Sequence, residues 1–344
     1  AANWKGEKLD DVTYLGSIRI ENISASNSTR KKRFNLSAYI RSFDKTMCTS
    51  FLLSSVVHIL TNRKQRPDVI VASYKPMASV AVGIFASVIY RRPLIIEMRD
   101  LISIFGRKKR LLFLDFMDRM FDRLCMKFAA EIVVVSPTAK LYAEKFYKRK
   151  VHLIYNGIEE SELNQHTKRN NQSQRAITIF YSGNLSDARR LENVCGYIKE
   201  HRGRRPIIFR VASAQNPENF GANNGEVDWL GFISREKVYE HQRKSDYLLI
   251  LEGHGQESTE NIPAKLYEYL GTNKPILADC NLDSDIVKIL LETQHGCCIS
   301  TQAKFDMSLG ADWQLSLDSV SEFTRKFQNE RYINLLETVV GNNV

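Results

Sequence analysis

Two carboxylates, Glu260 and Glu268, stand with seven residues between them in LLILEGHGQESTENIPAKLYEYLGTNKPILA, residues 248–278. Asn261 and Pro263 mark a helix start, and Gly271 with Asn273 a stop, so Glu260 falls in the loop ahead of the helix and Glu268 inside it. Unpaired N–H groups at a helix N-terminus favour an anion such as phosphate. An acid further along the helix can accept hydrogen bonds from sugar hydroxyls. Lys265, near the start, opposes the helix dipole, so it is either solvated or paired with an anion. A diphosphate on the helix start with a ribose on Glu268 is one coherent chemistry. Two solvated acids on an exposed helix are the other.

A second candidate is Tyr181 to Arg190, YSGNLSDARR. A strand ends at Gly183, which permits close backbone approach to a ligand. A helix begins with Arg189 and Arg190, and paired guanidiniums suit a diphosphate because each can grip phosphate oxygens with two donors. An exposed basic helix start would look the same. Arg99-Asp100 closes a short apolar strand, the edge where parallel sheets place functional crevices. Glu97 and Asp100 could orient an acceptor hydroxyl, or Glu97 could pair with Arg99 or a nearby lysine. His254 is a weaker candidate for a sugar or phosphate contact, with a solvated loop histidine as the alternative. Ser136 reads as a helix cap and Asn156-Gly157 as a turn.

The elements that must carry these residues alternate. In the first half, strands are expected at 12–20, 68–72, 93–98, 131–135 and 151–154. Helices are expected at 37–60, 75–90, 111–128 and 136–147. In the second half, strands at 177–181, 207–212, 227–230, 247–251, 276–278 and 297–299 interleave with helices at 190–200, 235–243 and 264–270. Two more helices, at 317–326 and 330–340, end the chain. Short apolar strands alternating with helices predict parallel sheets covered on both faces. Asn164 to Arg175, polar and without periodicity, reads as a linker. The 344 residues suit two domains, and a 43% hydrophobic content supplies a core for each. The six cysteines show no paired spacing and read as buried thiols of a reduced compartment. No apolar run reaches the ~18–20 residues of a transmembrane helix, and no signal peptide is seen.

Charge is uneven. Residues 1–170 carry 30 Lys and Arg against 16 Asp and Glu, a net +14, and the remainder a net −4. That asymmetry suits an anionic partner. Two basic runs stand out, Arg30–Arg33 and Arg107–Arg110, the latter leading into Leu-Leu-Phe-Leu. Near an anionic leaflet each Lys or Arg is worth about 1 kcal/mol, so reversible surface binding is expected. The helix at 111–128 reads as a core helix with a salt-laced outer face. Nucleic acid is not expected, since aromatic platforms and base-reading elements are missing.

The Glu-x7-Glu pair, the wording NIPAKLYEYLGTNKPILA and the segments around them resemble retaining glycosyltransferases of family 4, from about Pro67 to about Ser300. The resemblance implies an α/β chain of the GT-B fold, two Rossmann-like, doubly wound parallel-sheet domains facing a cleft. Residues 1–163 would form the acceptor-side domain, 164–175 the linker and 176–322 the nucleotide-sugar domain. Residues 323–344 would be a C-terminal helix crossing back. The family's usual first strand and Gly-rich loop have no counterpart before Val12. By position, Glu260, with Asn261 and Ile262, would lie by the donor sugar and diphosphate, and Glu268 would hold the ribose. Gly183, Asn184, Arg189 and Arg190 would line the diphosphate, with Arg190 at the usual Lys position and Asn184 where the family has Arg. The reacting diphosphate would meet Arg190, Glu260 and Lys265. Gly231-Phe232-Ile233 matches the loop that reads the base, so Phe232 or Ile233 would pack on it, or in the core. Glu97, Arg99 and Asp100 would face the acceptor, Arg99 replacing a common His.

The activity implied is transfer of a sugar, with retention, from a UDP- or GDP-linked donor to a saccharide or polyprenyl-linked acceptor, with no metal and no further cofactor. The setting implied is bacterial surface polysaccharide synthesis (capsule, O-antigen or exopolysaccharide), in the cytoplasm or on the inner face of the cell membrane. A non-catalytic GT-B binding or scaffold protein and a nucleotide-sugar epimerase are the alternatives. Product analysis with a labelled donor separates them.

Overall fold

The computed structural model describes residues 49–62, 64, 66–74, 77–99, 120, 122–160, 163, 176–203, 205–255 and 258–342. The strand expected at 12–20, the basic runs Arg30–Arg33 and Arg107–Arg110, Asp100 and the linker 164–175 lie outside these residues. The described chain divides into two compact units. The first runs to Val133 and takes in Leu336 onward; the second is Val134–Leu335.

In chain order the early elements are α1 (Thr49–Thr61), β1 (Ile70–Tyr74), α2 (Met77–Tyr90), β2 (Leu94–Met98), β3 (Glu131–Val134), α3 (Pro137–Tyr147) and β4 (His152–Leu153). Strands β1 to β4 form one sheet in that order, with β1 and β2 parallel and Ile70 opposite Leu94. Leu94, Ile95 and Ile96 are wholly buried, as a strand covered on both faces requires. Ser136 caps α3, its hydroxyl accepting the Ala139 N–H at 3.2 Å.

The helical stretch at 122–128 departs from expectation. Asp122, expected on the outer face, is buried and accepts the Tyr74 hydroxyl at 2.5 Å. Met120, Leu124 and Phe128 are instead about half exposed (51%, 54% and 48%), beside exposed Arg123 and Lys127. A lone carboxylate with a tyrosine donor tolerates burial, and its inward turn carries the apolar i, i+4, i+8 row outward.

The second sheet holds six strands: β5 (Ile177–Ser182), β6 (Ile207–Ala212), β7 (Asp228–Gly231), β8 (Tyr247–Leu251), β9 (Ile276–Asp279) and β10 (Gly296–Cys298). Its order is β10-β9-β8-β5-β6-β7, and every pairing is parallel. Strands alternate side chains between faces, and here both faces are core. Leu248 and Ile250 of β8 pack on one side, Tyr247, Leu249 and Leu251 on the other. The helices between and after these strands are α4 (Glu192–Glu200), α5 (Arg235–Lys244), α6 (Ala264–Gly271), α7 (Asp285–Thr293) and α8 (Gln302–Gly310), and α9 (Arg325–Gly341) is the last element described. The sequence patterns did not mark α8, and 317–323 forms a 3-10 turn where a helix was expected. The five described cysteines are unpaired thiols. Among the described residues no helix is long and apolar enough to cross a membrane.

Candidate functional site

The six-stranded sheet reverses direction at β5. From it the chain steps outward through β6 and β7, then crosses to the other side through β8, β9 and β10. Parallel sheets bind ligands at the carboxyl ends of strands beside such a reversal. A pocket of about 250 Å³ opens there, lined by Gly183 and Asn184 after β5, Ser213 after β6, Phe232 and Ile233 after β7, and Lys265 and Glu268 of α6.

Gly183 is what lets the pocket exist. Its φ of 147° is one that side chains rarely adopt, and a Cβ there would stand 2.6 Å from the Lys265 Nζ and 3.2 Å from the Tyr181 Oη. The Lys265 ammonium sits 4.3 Å above the centre of the Tyr181 ring. Tyr181 is itself fixed, its hydroxyl donating to the Asn184 carbonyl at 2.9 Å. Burial, and after it the neighbouring Arg189, brings the Lys265 pKa down to about 8 against the opposing pull of Glu252 and Glu268. Tyr269, on the buried side of α6, reaches the Ser182 hydroxyl at 3.3 Å and docks the helix onto the end of β5.

Helix α6 begins after Pro263, which stands one position earlier than the first turn and occupies the cap. At the other end Asn273 takes a φ of 54°, the left-handed stop that its residue type favours. Glu260 lies half-buried in the loop before α6, and this loop is pinned by the Asp285 N–H donating to the Thr259 carbonyl at 2.8 Å. Asn261 turns its side-chain amide to the Glu252 Oε2 at 3.2 Å. Ile262 packs into the core below the sheet's edge. Glu268 lies 3.9 Å from the exposed guanidinium of Arg235. Phe232 is 87% exposed, standing at the pocket's rim and not in the core.

The two arginines part company. The Arg189 Nε donates to the Glu252 Oε1 at 2.9 Å, and its Nη2 reaches the same oxygen. Arg190 turns to Glu192 at 3.3 Å. Both arginines precede α4, which starts at Glu192 and not at the arginines as expected, because Leu191 takes the cap. Neither arginine, nor Glu260, Asn261 or Ile262, is among the pocket's lining residues. In the first unit, the Arg99 Nε donates to the Glu97 Oε1 at 3.0 Å, the pairing that was the alternative to an acceptor contact. His254 lies 3.0 Å from the buried Asp279, whose carboxyl burial pushes above the usual range. Gly157 packs against the Arg325 backbone. Among the described residues no cluster of three or more His, Cys, Asp or Glu is placed to hold a metal ion.

Sequence reasoning missed Tyr181 as the floor beneath Lys265, Arg235 opposite Glu268, and above all Glu252. The signal for Glu252 was there: a lone acid directly after the wholly apolar strand Tyr247–Leu251.

No protein-family model and no curated protein matches the chain. Solved structures do. Sucrose-phosphate synthase from Thermosynechococcus elongatus superposes with a TM-score of 0.63 at 12% identity, over 85% of this chain and 79% of that one. Anabaena HepE in complex with UDP gives 0.61 at 14% identity, over 83% and 82%. A glycosyltransferase from Rickettsia africae gives 0.60 at 12% identity, over 85% and 82%. The chain has the α/β fold of GT-B glycosyltransferases, built on two Rossmann-like sheets.

Proposed function

We propose that this chain is a glycosyltransferase that moves a sugar from a nucleoside-diphosphate donor to a saccharide or polyprenyl-linked acceptor with retention of configuration, without a metal, in surface polysaccharide synthesis. The observation that carries the proposal is the convergence at the carboxyl end of β5 of Gly183, Lys265 and Glu268 around one pocket. UDP bound to a neighbour of the same fold supports it. In the reaction the bond from the anomeric carbon to the diphosphate oxygen breaks, and the acceptor oxygen bonds to the same face as its proton passes to that departing diphosphate oxygen. The departing diphosphate gains negative charge. Lys265, the start of α6 and Arg189 supply positive charge there, and preorganised charge of this kind is the largest lever such a site has. Glu260 faces the sugar in this reading, Glu268 the ribose and Phe232 the base. Arg190 would join only by leaving Glu192.

The test is a panel of UDP- and GDP-sugars, read by thermal shift and by transfer of labelled sugar in the presence of EDTA. A donor at 100 times its Kd should add roughly 2.7 kcal/mol of stability. Glu268→Ala should weaken UDP binding about 10- to 150-fold, since hydrogen bonds to a charged group contribute about 1.5–3 kcal/mol, with the ligand-free melting temperature unchanged. A shift without transfer would mean a binding protein. No shift with any donor would overturn the proposal.

The proposed acceptor lies on or near lipid, and the exposed Met120, Leu124 and Phe128 with Arg123 and Lys127 are the residues offered to an anionic leaflet. An apolar row flanked by cations suits an interface. R123A/K127A should lower binding to phosphatidylglycerol-containing vesicles about 30-fold, at about 1 kcal/mol per cation, and neutral vesicles should show no such dependence. Equal binding by variant and wild type would reject the surface.

A further inference from the structure

We propose that Glu252 is the positioning residue that holds Arg189, and with it the loop ahead of α6, in the geometry needed to receive a diphosphate beside Lys265. The inference rests on the nucleotide-sugar reading of the pocket and goes beyond it, because Glu252 lies outside the pocket's lining.

The residue sits directly on the end of β8, after five buried apolar residues, and its side chain is 4% exposed. Its own N–H donates to the Asp279 carbonyl at 3.0 Å, which fixes its backbone across to β9. A carboxylate so deeply buried must be satisfied, and both oxygens are. Oε1 takes the Nε and Nη2 of Arg189, and Oε2 takes the Asn261 amide. One carboxylate thereby joins three separate segments: the turn after β5, the end of β8 and the loop carrying Glu260.

The way Arg189 is held is what gives the contact a role beyond packing. Glu252 occupies the Nε–Nη2 side of the guanidinium. Among the described residues nothing bonds Nη1, and the side chain is 29% exposed. A planar guanidinium fixed along one edge presents its remaining donors in a set direction, which a free arginine does not. The arrangement also balances charge. The groups facing Lys265 are the Tyr181 ring from β5, Arg189 from the following turn, Glu252 from the end of β8 and Glu268 from α6 itself. Glu252 opposes the repulsion that Arg189 exerts on the ammonium. Two cations can then wait side by side for a dianionic group.

The experiment compares wild type, E252Q, R189A, the E252Q/R189A double variant and R189K. UDP affinity is measured by calorimetry from pH 6.5 to 9, and the ligand-free titration of Lys265 by NMR of the reductively methylated amine. E252Q keeps the shape and removes the charge. It should lose at least 10-fold in UDP affinity, and the double variant should lose clearly less than the two single losses combined, since the larger part of the Glu252 effect passes through the Arg189 guanidinium. The Lys265 midpoint should move down in E252Q by about half a unit or more, as loss of a nearby anion requires. R189K keeps Glu252 charged but cannot present a fork, and should also lose about 10-fold; it serves in place of E252Q if that variant does not fold. Wild-type affinity in E252Q, or in R189K where E252Q is unfolded, overturns the proposal, as do losses that add in the double variant. If wild type binds no nucleotide, the functional reading fails. The Lys265 titration then decides Glu252 on its own: an unmoved midpoint overturns it.

Discussion

Gly183→Val should abolish measurable nucleotide binding while leaving a folded protein. Two effects act together. At a φ of 147° any side chain is strained, at a cost of about 1–3 kcal/mol. The new Cβ would also stand 2.6 Å from the Lys265 Nζ. That nitrogen is the far end of a flexible chain, so it moves and the backbone stays. The ammonium leaves its place over Tyr181, and the valine fills the space where a phosphate would approach. For a unit the size of Val134–Leu335, 1–3 kcal/mol lowers the melting temperature by roughly 2–12 °C. Affinity for UDP should fall more than about 100-fold, because a charged hydrogen bond of about 1.5–3 kcal/mol is lost while the phosphate's own space is filled. Gly225 provides the control: its φ is 81°, and a Cβ added there would meet nothing within 4 Å. Gly225→Val should lower the melting temperature in the same way and leave UDP affinity intact. Matched affinity loss in both variants would mean that backbone strain, and not the occupied space at 183, governs binding.

Much of this arrangement was legible in the residues. Alternating apolar strands and helices announced two parallel sheets, because a strand buried on both faces has no polar positions to spare. Gly183, Lys265 and Glu268 were singled out from types and spacing, and the fold brings them to one pocket. What could not be read was direction. Arg189 and Arg190 are adjacent and alike, yet one turns to buried Glu252 and the other to Glu192 in solvent. Only the partner, contributed 63 residues further along, decides between them. The same holds for residues 122–128, where Asp122 goes inward because Tyr74 offers it a donor. Helical periodicity finds a stripe of like residues, but not the distant group that makes burial of a charge tolerable.

Lys265 should make nucleotide binding fall as pH rises through about 8. Burial, reinforced by Arg189, holds its pKa at about 8, against 10.5 for the ordinary side chain. A dianionic diphosphate interacts best with the ammonium form, so the site is charged and competent below pH 8 and progressively neutral above it. Ligand binding near and above pH 8 should therefore take up a proton, visible as a buffer-dependent calorimetric enthalpy. In Lys265→Ala, UDP affinity at pH 7 should drop about 10- to 150-fold, the range expected for a hydrogen bond to a charged group, and the fall near pH 8 should vanish. Stability without ligand runs in the opposite sense. A lysine whose folded pKa is depressed destabilises the fold at every pH below 8, and that cost fades as pH rises from 8 toward 10.5. Lys265→Met should accordingly raise the ligand-free melting temperature at pH 7, with the gain shrinking above pH 8. Such a residue, unfavourable to the fold and favourable to an anion, is expected where function and not packing sets its place. A flat pH profile of UDP affinity in the wild-type protein, or a less stable Lys265→Met variant at pH 7, would remove Lys265 from the binding chemistry.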